Sequence, residues 1–208
     1  VTDSDVDFMF FLGSAEENIV RWRLRGRTAN PQTFQQFLWG NSDVQFLICR
    51  HGGEPIGHVC TYHSDESSGT TKVAAVLIPK VQRRAWPLEG IFLFLDYVFA
   101  SFPFRKVYFE VPGFNEGNFG LFLERFTTQE GRLVDAVFTD GRYWDLSFLT
   151  MTREDWMELK SSSWGRLLSR GVLGSVGADD DEQVAPRDGK VHLRGLVAGR
   201  HDGGHGLG

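Results

Sequence analysis

At Val44 the spacing of apolar residues changes, and that change fixes the class of fold open to this chain. Before it, Phe8, Phe11 and Leu12, then Phe34, Phe37 and Leu38, recur at three- and four-residue intervals, as in helices that each bury one face. Thr2-Asp3-Ser4-Asp5 reads as the end of a strand passing through an N-cap into the first helix. The second helix opens at Asn30-Pro31, because proline's fixed φ and missing N–H suit a first helical turn. After Val44 come three strand-like stretches: Val44 to Arg50 (VQFLICR), Ile56 to His63 (IGHVCTYH) and Thr71 to Ile78 (TKVAAVLI). The turn His51-Gly52-Gly53-Glu54-Pro55 and the polar loop Ser64 to Thr70 join them into a meander. Pro87 then opens a helix carrying Leu88, Ile91, Phe92, Leu95, Val98 and Phe99, and Arg105 to Val111 is a strand stopped by Pro112-Gly113. Asn115 or Asn118 opens a further helix through Phe122, Leu123 and Phe126. Leu133 to Thr139 and Tyr143 to Met151 form a hairpin about Asp140-Gly141, and Thr152 to Trp156 starts a short helix by a capping-box pattern. This order predicts an α+β (mixed α/β) fold, with a mostly antiparallel central sheet and helices on both faces.

Composition sets the expected boundary of the domain. Of the aromatic residues only Trp164 lies beyond residue 160, where glycines crowd and the acidic run Asp179-Asp180-Asp181-Glu182 appears. Such a segment buries too little apolar surface to offset its ordering entropy. We therefore expect a globular domain over 1–160 and a flexible tail over 161–208. Charges within that tail cancel, so the formal net charge of −5 belongs to residues 1–160. An acidic domain argues against a nucleic-acid partner and suits an amine-bearing one. The chain shows no run of 18 apolar residues and no leader pattern, so neither a membrane span nor export is expected. Cys49 and Cys60 are too few for a disulfide framework or a metal set, and a reducing, cytoplasmic setting is the default. Phe92 and Phe94 are not expected to point inward together. An exposed aromatic face on that helix would suit contact with a second copy.

Four segments in this order resemble the GCN5-related N-acetyltransferase (GNAT) family, nearest the ribosomal-protein N-acetyltransferase-like branch. They are FLICRHGGEPIGHV, TKVAAVLIPKVQRRAWPLEGIFLFLDYVF, RKVYFEVPGFNEGNF and GRLVDAVFTDGRYWDLSFLTMTREDW. The resemblance covers roughly residues 1–157 and implies acetyl transfer from acetyl-coenzyme A to an amine, whether a small molecule or a peptide or protein amino group. In the family a diphosphate-binding loop follows the third meander strand and opens the next helix, where unpaired N–H groups favour an anion. The matching stretch is Gln82-Arg83-Arg84-Ala85-Trp86-Pro87, so Gln82, Arg83, Arg84, Ala85, Trp86 and Leu88 are the cofactor-binding candidates. Ala85 replaces a glycine, and Pro87, which has no N–H, departs from the pattern. The resemblance also places Asn115 on the cofactor. Where the family often has a tyrosine as general acid, seven residues on, this chain has Phe122.

No glutamate lies on the third meander strand to serve as base. The groups able to assist a proton transfer are His58 and His63 on the second strand, Glu110 on the fourth, and Tyr143 with Asp145 in the last hairpin. Tyr143, Asp145 and His63 are the catalytic candidates, since Tyr143 and Asp145 share one strand face and His63 sets an imidazole at a strand end near a polar loop. Structural readings stand beside these: a hydrogen-bonded strand histidine, a packed Tyr143, and an Asp145 paired with arginine. With both glycines, the tyrosine and an obvious base missing, a catalytically inactive GNAT-fold binding or regulatory module is the alternative.

Overall fold

A computed structural model of the protein describes residues 3–15, 18, 27, 29–40, 42–82, 87–117, 125–162, 165 and 191–195. Helix α1 (Asp3–Ser14) and helix α2 (Pro31–Gly40) precede the antiparallel meander β1 (Val44–Arg50), β2 (Pro55–Asp65) and β3 (Thr70–Leu77). The Asn30 side chain accepts the Thr33 N–H at 2.8 Å, so α2 starts where the Asn-Pro pair predicts. Helix α3 (Leu88–Ser101) leads to β4 (Lys106–Pro112), and β5 (Thr128–Thr139) and β6 (Arg142–Thr152) form the hairpin. Asp140 and Gly141 both take positive φ, 53° and 74°, the tight-turn geometry that Asp-Gly favours. Helix α4 (Arg153–Ser161) begins with a complete capping box between Thr152 and Asp155.

One seven-stranded sheet results, in the order β5-β6-β4-β3-β2-β1-β7, where β7 is Val191–Gly195. Among the described residues only β3 and β4 run parallel, and the other neighbouring pairs are antiparallel. Strand alternation sends Ile48, Val59, Val73 and Leu77 toward α3 and α4, where they meet Phe94, Leu95, Val98 and Trp156. Leu47, Cys49 and Val76 face the other way, against Met9, Leu12, Phe34 and Leu38 of α1 and α2. The expected helices on both faces are thus present. Gly90 is where α3 comes closest to the sheet: a Cβ there would lie 2.5 Å from Ile48 Cγ2.

Two expectations need correction. Phe92 and Phe94 are both buried, at 7% and 0% exposure, because α3 has neighbours on more than its sheet-facing side. Phe94 packs on Phe46, while Phe92 turns toward Trp156 of α4 and Phe126. The large apolar residues that α3 leaves exposed are instead Leu93 and Tyr97. The second correction concerns the boundary at 160. Residues 191–195 return to the sheet as β7, antiparallel to β1 from Phe46↔Gly195 to Arg50↔Val191. Val191 is buried in the α3-side core, and Arg194 on the opposite face pairs with the buried Asp5 of α1. A short alternating segment docked on an existing strand edge needs little apolar area of its own, since the ladder satisfies its backbone.

Candidate functional site

The feature that defines a site is the parting of β3 from β4. Their ladder holds only at Thr70↔Lys106, Thr71↔Val107 and Lys72↔Tyr108. Beyond it, β3 continues to Leu77 paired with β2, while β4 continues to Pro112 paired with β6. Each strand therefore turns an unladdered edge into a wedge-shaped gap, closed at Lys72 and open at Leu77 and Pro112. Backbone donors and acceptors along such edges need partners. A ligand arm bearing amides fits that demand, and the strand segments on its two sides carry Val73 and Ala75 (β3) and Val111 (β4), which pack in or against the α3-side core.

The connection from β3 to α3 lies at the open end. After Leu77 the chain makes a 3-10 turn, Pro79–Val81, with Val81 buried. The Gln82 side-chain amide donates to Leu77 O at 2.9 Å and to Asn18 Oδ1 at 3.2 Å, and the Gln82 N–H donates to Pro79 O at 3.2 Å. Buried Asn18 in turn donates to Leu12 O at 3.1 Å and to Leu77 O at 3.4 Å. Gln82 thus ties the loop's start to the end of β3 and, through Asn18, to α1. Arg83, Arg84, Ala85 and Trp86 lie outside the described residues, as does Phe122. Leu88 is the first residue of α3, half-buried against the main core, with Pro87 as N-cap. Across the gap, β4 ends in the 3-10 turn Gly113–Asn115, which places Asn115 beside the open end. Phe114 and Trp144 meet edge to face there, with centroids 5.7 Å apart.

The three catalytic candidates are not brought together. His63 is exposed, at positive φ (50°), in the irregularity between Tyr62 and Asp65, near the closed end. Lys72 and Leu77 are five positions apart along β3, so His63 lies about 17 Å from the open end at ~3.3 Å per residue. Tyr143 sits at the outer end of β6, 62% exposed, against Phe138 at 5.0 Å. The Asp145 carboxylate accepts from the Asp135 N–H at 2.9 Å and from Arg132 at 2.5–2.6 Å. That backbone N–H, and then the guanidinium, hold its pKa below the ordinary carboxylate value, which suits a structural anchor better than a base. His58, opposite Val76, is fully buried with Nε2 3.1 Å from Gln45 Oε1, and Gln45 donates to Leu38 O of α2. It is a hydrogen-bonded core histidine.

The cluster that sequence reasoning missed stands at the closed end. Lys72 Nζ meets Glu110 Oε1 at 2.5 Å, and the Tyr62 hydroxyl donates to Glu110 Oε2 at 3.4 Å. Glu110 is legible as a polar residue on the fourth strand. Its partners depend on the three-residue parallel register of β3 on β4, which no local pattern encodes.

No family model matches the chain. A search of curated proteins finds the SPbeta prophage-derived uncharacterized N-acetyltransferase YokL of Bacillus subtilis (strain 168), 25% identical over 113 residues. That match takes in 54% of this chain, which spans only 64% of YokL's length. Among solved structures, spermidine N-acetyltransferase SpeG from Vibrio cholerae in complex with CoA and spermine superposes with a TM-score of 0.63 at 20% identity, over 76% of this chain and 95% of that one. A mutant of the same enzyme gives 0.65 at 19% identity, over 77% and 97%. The molecule therefore has the fold of the GNAT-type N-acetyltransferases, as its segment order predicts. At these identities the solved structures establish the fold alone.

Proposed function

We propose that the protein is an acyl-CoA-dependent N-acyltransferase that moves acetyl from acetyl-coenzyme A to an amine. The wedge between β3 and β4 carries this reading. Its diverging edges accept an amide-bearing arm, and the unpaired N–H groups general to a helix start make the loop opening α3 the place for a diphosphate. The residues that would hold the cofactor are the β3 edge, Asn115, and Arg83, Arg84, Ala85, Trp86 and Leu88 at the loop. When bound, acetyl-coenzyme A would supply an activated acyl group: the neutral amine nitrogen would form the C–N bond as the C–S bond breaks, and the proton lost from nitrogen would pass through solvent to the departing thiolate, leaving an amide and the free thiol. The chain's own share is to align the two substrates across the gap, an effect able to contribute about 7–11 kcal/mol without a dedicated base.

Support comes from the named relative YokL and from a fold shared with an enzyme solved with CoA and spermine. The sequence landmarks favour the ribosomal-protein branch, in which a peptide or protein amino group would be an acceptor. Cys49 and Cys60 are free thiols, which fits a cytoplasmic site of action. Exposed Leu93 and Tyr97 on α3 would suit a homodimer. Asp145's engagement with Arg132 favours the second reading, a fold kept for binding alone. Calorimetric titration with acetyl-coenzyme A decides first: binding in the range of about 1 μM to 1 mM usual for enzyme substrates is expected, weakened in Asn115→Ala. Absence of binding at millimolar ligand removes the proposal. Binding without thiol release across an amine panel would favour the binding module.

A further inference from the structure

We infer that Glu110, fixed by Lys72 and Tyr62, is the group that seats the acceptor's amine, and that the acceptor is a primary amine on an apolar body. This rests on the acyltransfer reading and names the substrate side of the same gap.

Location comes first. Lys72 is the last β3 residue laddered to β4, and Glu110 lies two positions past its partner Tyr108, so the pair bridges the point where the strands part. Phe109 and Val111 point into the α3-side core, and alternation turns Glu110 and Pro112 to the opposite face. A cofactor arm entering between Leu77 and Pro112 and running down the gap ends beside this carboxylate. Glu110 keeps 21% of its side chain exposed. Lys72 engages Oε1 and Tyr62 engages Oε2, which sets the carboxylate's orientation, and each oxygen retains a further acceptor position.

The surface leading outward from Glu110 then sets the substrate class. Phe148 stands directly opposite Glu110 in the β4–β6 register, and Leu146 opposite Pro112. Phe114 and Trp144 continue that line to the open end, and the Arg142 guanidinium lies 3.4 Å over the Trp144 ring. An amine entering here meets the Lys72-paired carboxylate of Glu110 at the inner end, with the Lys106–Glu130 pair beyond it on the closed side, uncharged side chains along the β6 wall, and the Arg142 cation at the outer end. A second ammonium on the acceptor would lie against apolar surface or against Arg142. A monoamine with an alkyl or aryl body satisfies the whole line; a polyamine does not.

The test uses the full chain with phenethylamine, hexylamine and spermidine as acceptors. Thiol release gives kcat and KM, and calorimetry gives amine binding to the CoA-bound protein and acetyl-coenzyme A binding alone. Wild type is expected to favour phenethylamine or hexylamine over spermidine in kcat/KM. Glu110→Gln should raise amine KM and weaken amine binding about tenfold or more, with kcat changed less than about threefold and acetyl-coenzyme A affinity unchanged. Tyr62→Phe, which leaves the ion pair in place, should raise KM by a smaller factor and serves if the glutamine variant fails to fold. The inference is overturned if amine KM and binding in both variants stay within twofold of wild type. It is equally overturned if spermidine is the best acceptor, or if wild type binds acetyl-coenzyme A yet acetylates neither monoamine. Failure of wild type to bind acetyl-coenzyme A would instead overturn the acyltransfer reading itself.

Discussion

Arg153 holds three chain segments together, and its replacement by methionine offers a direct measure of how the α3 side of the fold is secured. Its Nε donates to Phe104 O at 3.0 Å, one terminal nitrogen donates to Phe102 O and Phe104 O at 2.7 Å each, and the other donates to Phe99 O. The guanidinium also lies 5.4 Å from the Phe99 ring centroid. These carbonyls belong to the last turn of α3 and the segment entering β4, where a cation complements the helix dipole as well. Methionine keeps much of the aliphatic stem and removes every donor. With three carbonyls losing their partner at roughly 1 kcal/mol net each, and a dipole contribution of about 0.3–1 kcal/mol, a discount for partial exposure leaves about 3 kcal/mol. For a chain of this size that corresponds to a Tm lower by about 6–12 °C. Urea denaturation followed by circular dichroism is the assay, and Arg153→Lys, which keeps the charge but not the planar fork, should recover less than half. Affinity for acetyl-coenzyme A should hardly move, because the start of α3 lies about 20 Å away along the helix. A loss below about 1 kcal/mol in the methionine variant would refute the reasoning.

Two further outcomes follow from residues at the sheet's margins. Cys49 is buried against α1 and α2, with His192 of β7 as its lateral neighbour in the sheet, and burial pushes its thiol pKa up. Val191→Asp should release β7 rather than bury a charge, so Cys49 should react with an aromatic disulfide reagent about tenfold faster or more, read by mass spectrometry against Cys60; an unchanged rate would argue against the seventh strand. Asp145 has a depressed pKa in the fold, so its ionised form contributes stability above the unfolded carboxylate value of about 3.9 and loses it as pH falls through the lower folded value. The stability gap between wild type and Asp145→Asn should therefore be present at pH 7 and shrink below about pH 5, and a gap that widens on acidification would contradict the ion pair with Arg132.

The elements most legible in the sequence are those whose signals are local. Asn30-Pro31, Asp140-Gly141 and Thr152 with Asp155 each carry their own hydrogen bonds or backbone geometry, and each marks the boundary its chemistry dictates. β7 was illegible because VHLRG gains its order from the edge of β1 and from Asp5, a residue near the other end of the chain. Phe92 and Phe94 depart from the one-face pattern for a related reason: a helix has one inward face only when one layer covers it, and α4 supplies a second through Trp156. Of the site candidates, Asn115 lies in the 3-10 turn that follows β4, a place its position after the strand predicts. Asp145 and Gln82 carry suitable chemistry, yet their partners, Arg132, Asp135 and Leu77 O, engage them within the protein. Residue type announces what a side chain can do, and register decides what is left for it to do.

The gap between β3 and β4 is itself a consequence of register. β4 has seven paired positions with β6, from Lys106↔Thr152 to Pro112↔Leu146, but three with β3. The longer ladder fixes the course of β4, while β3 is held by β2 as far as Leu77↔Gly57, where a Cβ on Gly57 would lie 2.6 Å from the Leu77 side chain. Neither strand can swing to close the wedge without breaking pairs on its outer side, each of which contributes to stability. An opening maintained by its neighbours does not have to be formed when a ligand arrives, so less binding energy is lost to ordering the protein. By the same logic the Lys72–Glu110 pair is placed by the fold at the inner limit of the wedge, and its carboxylate is oriented before any acceptor enters.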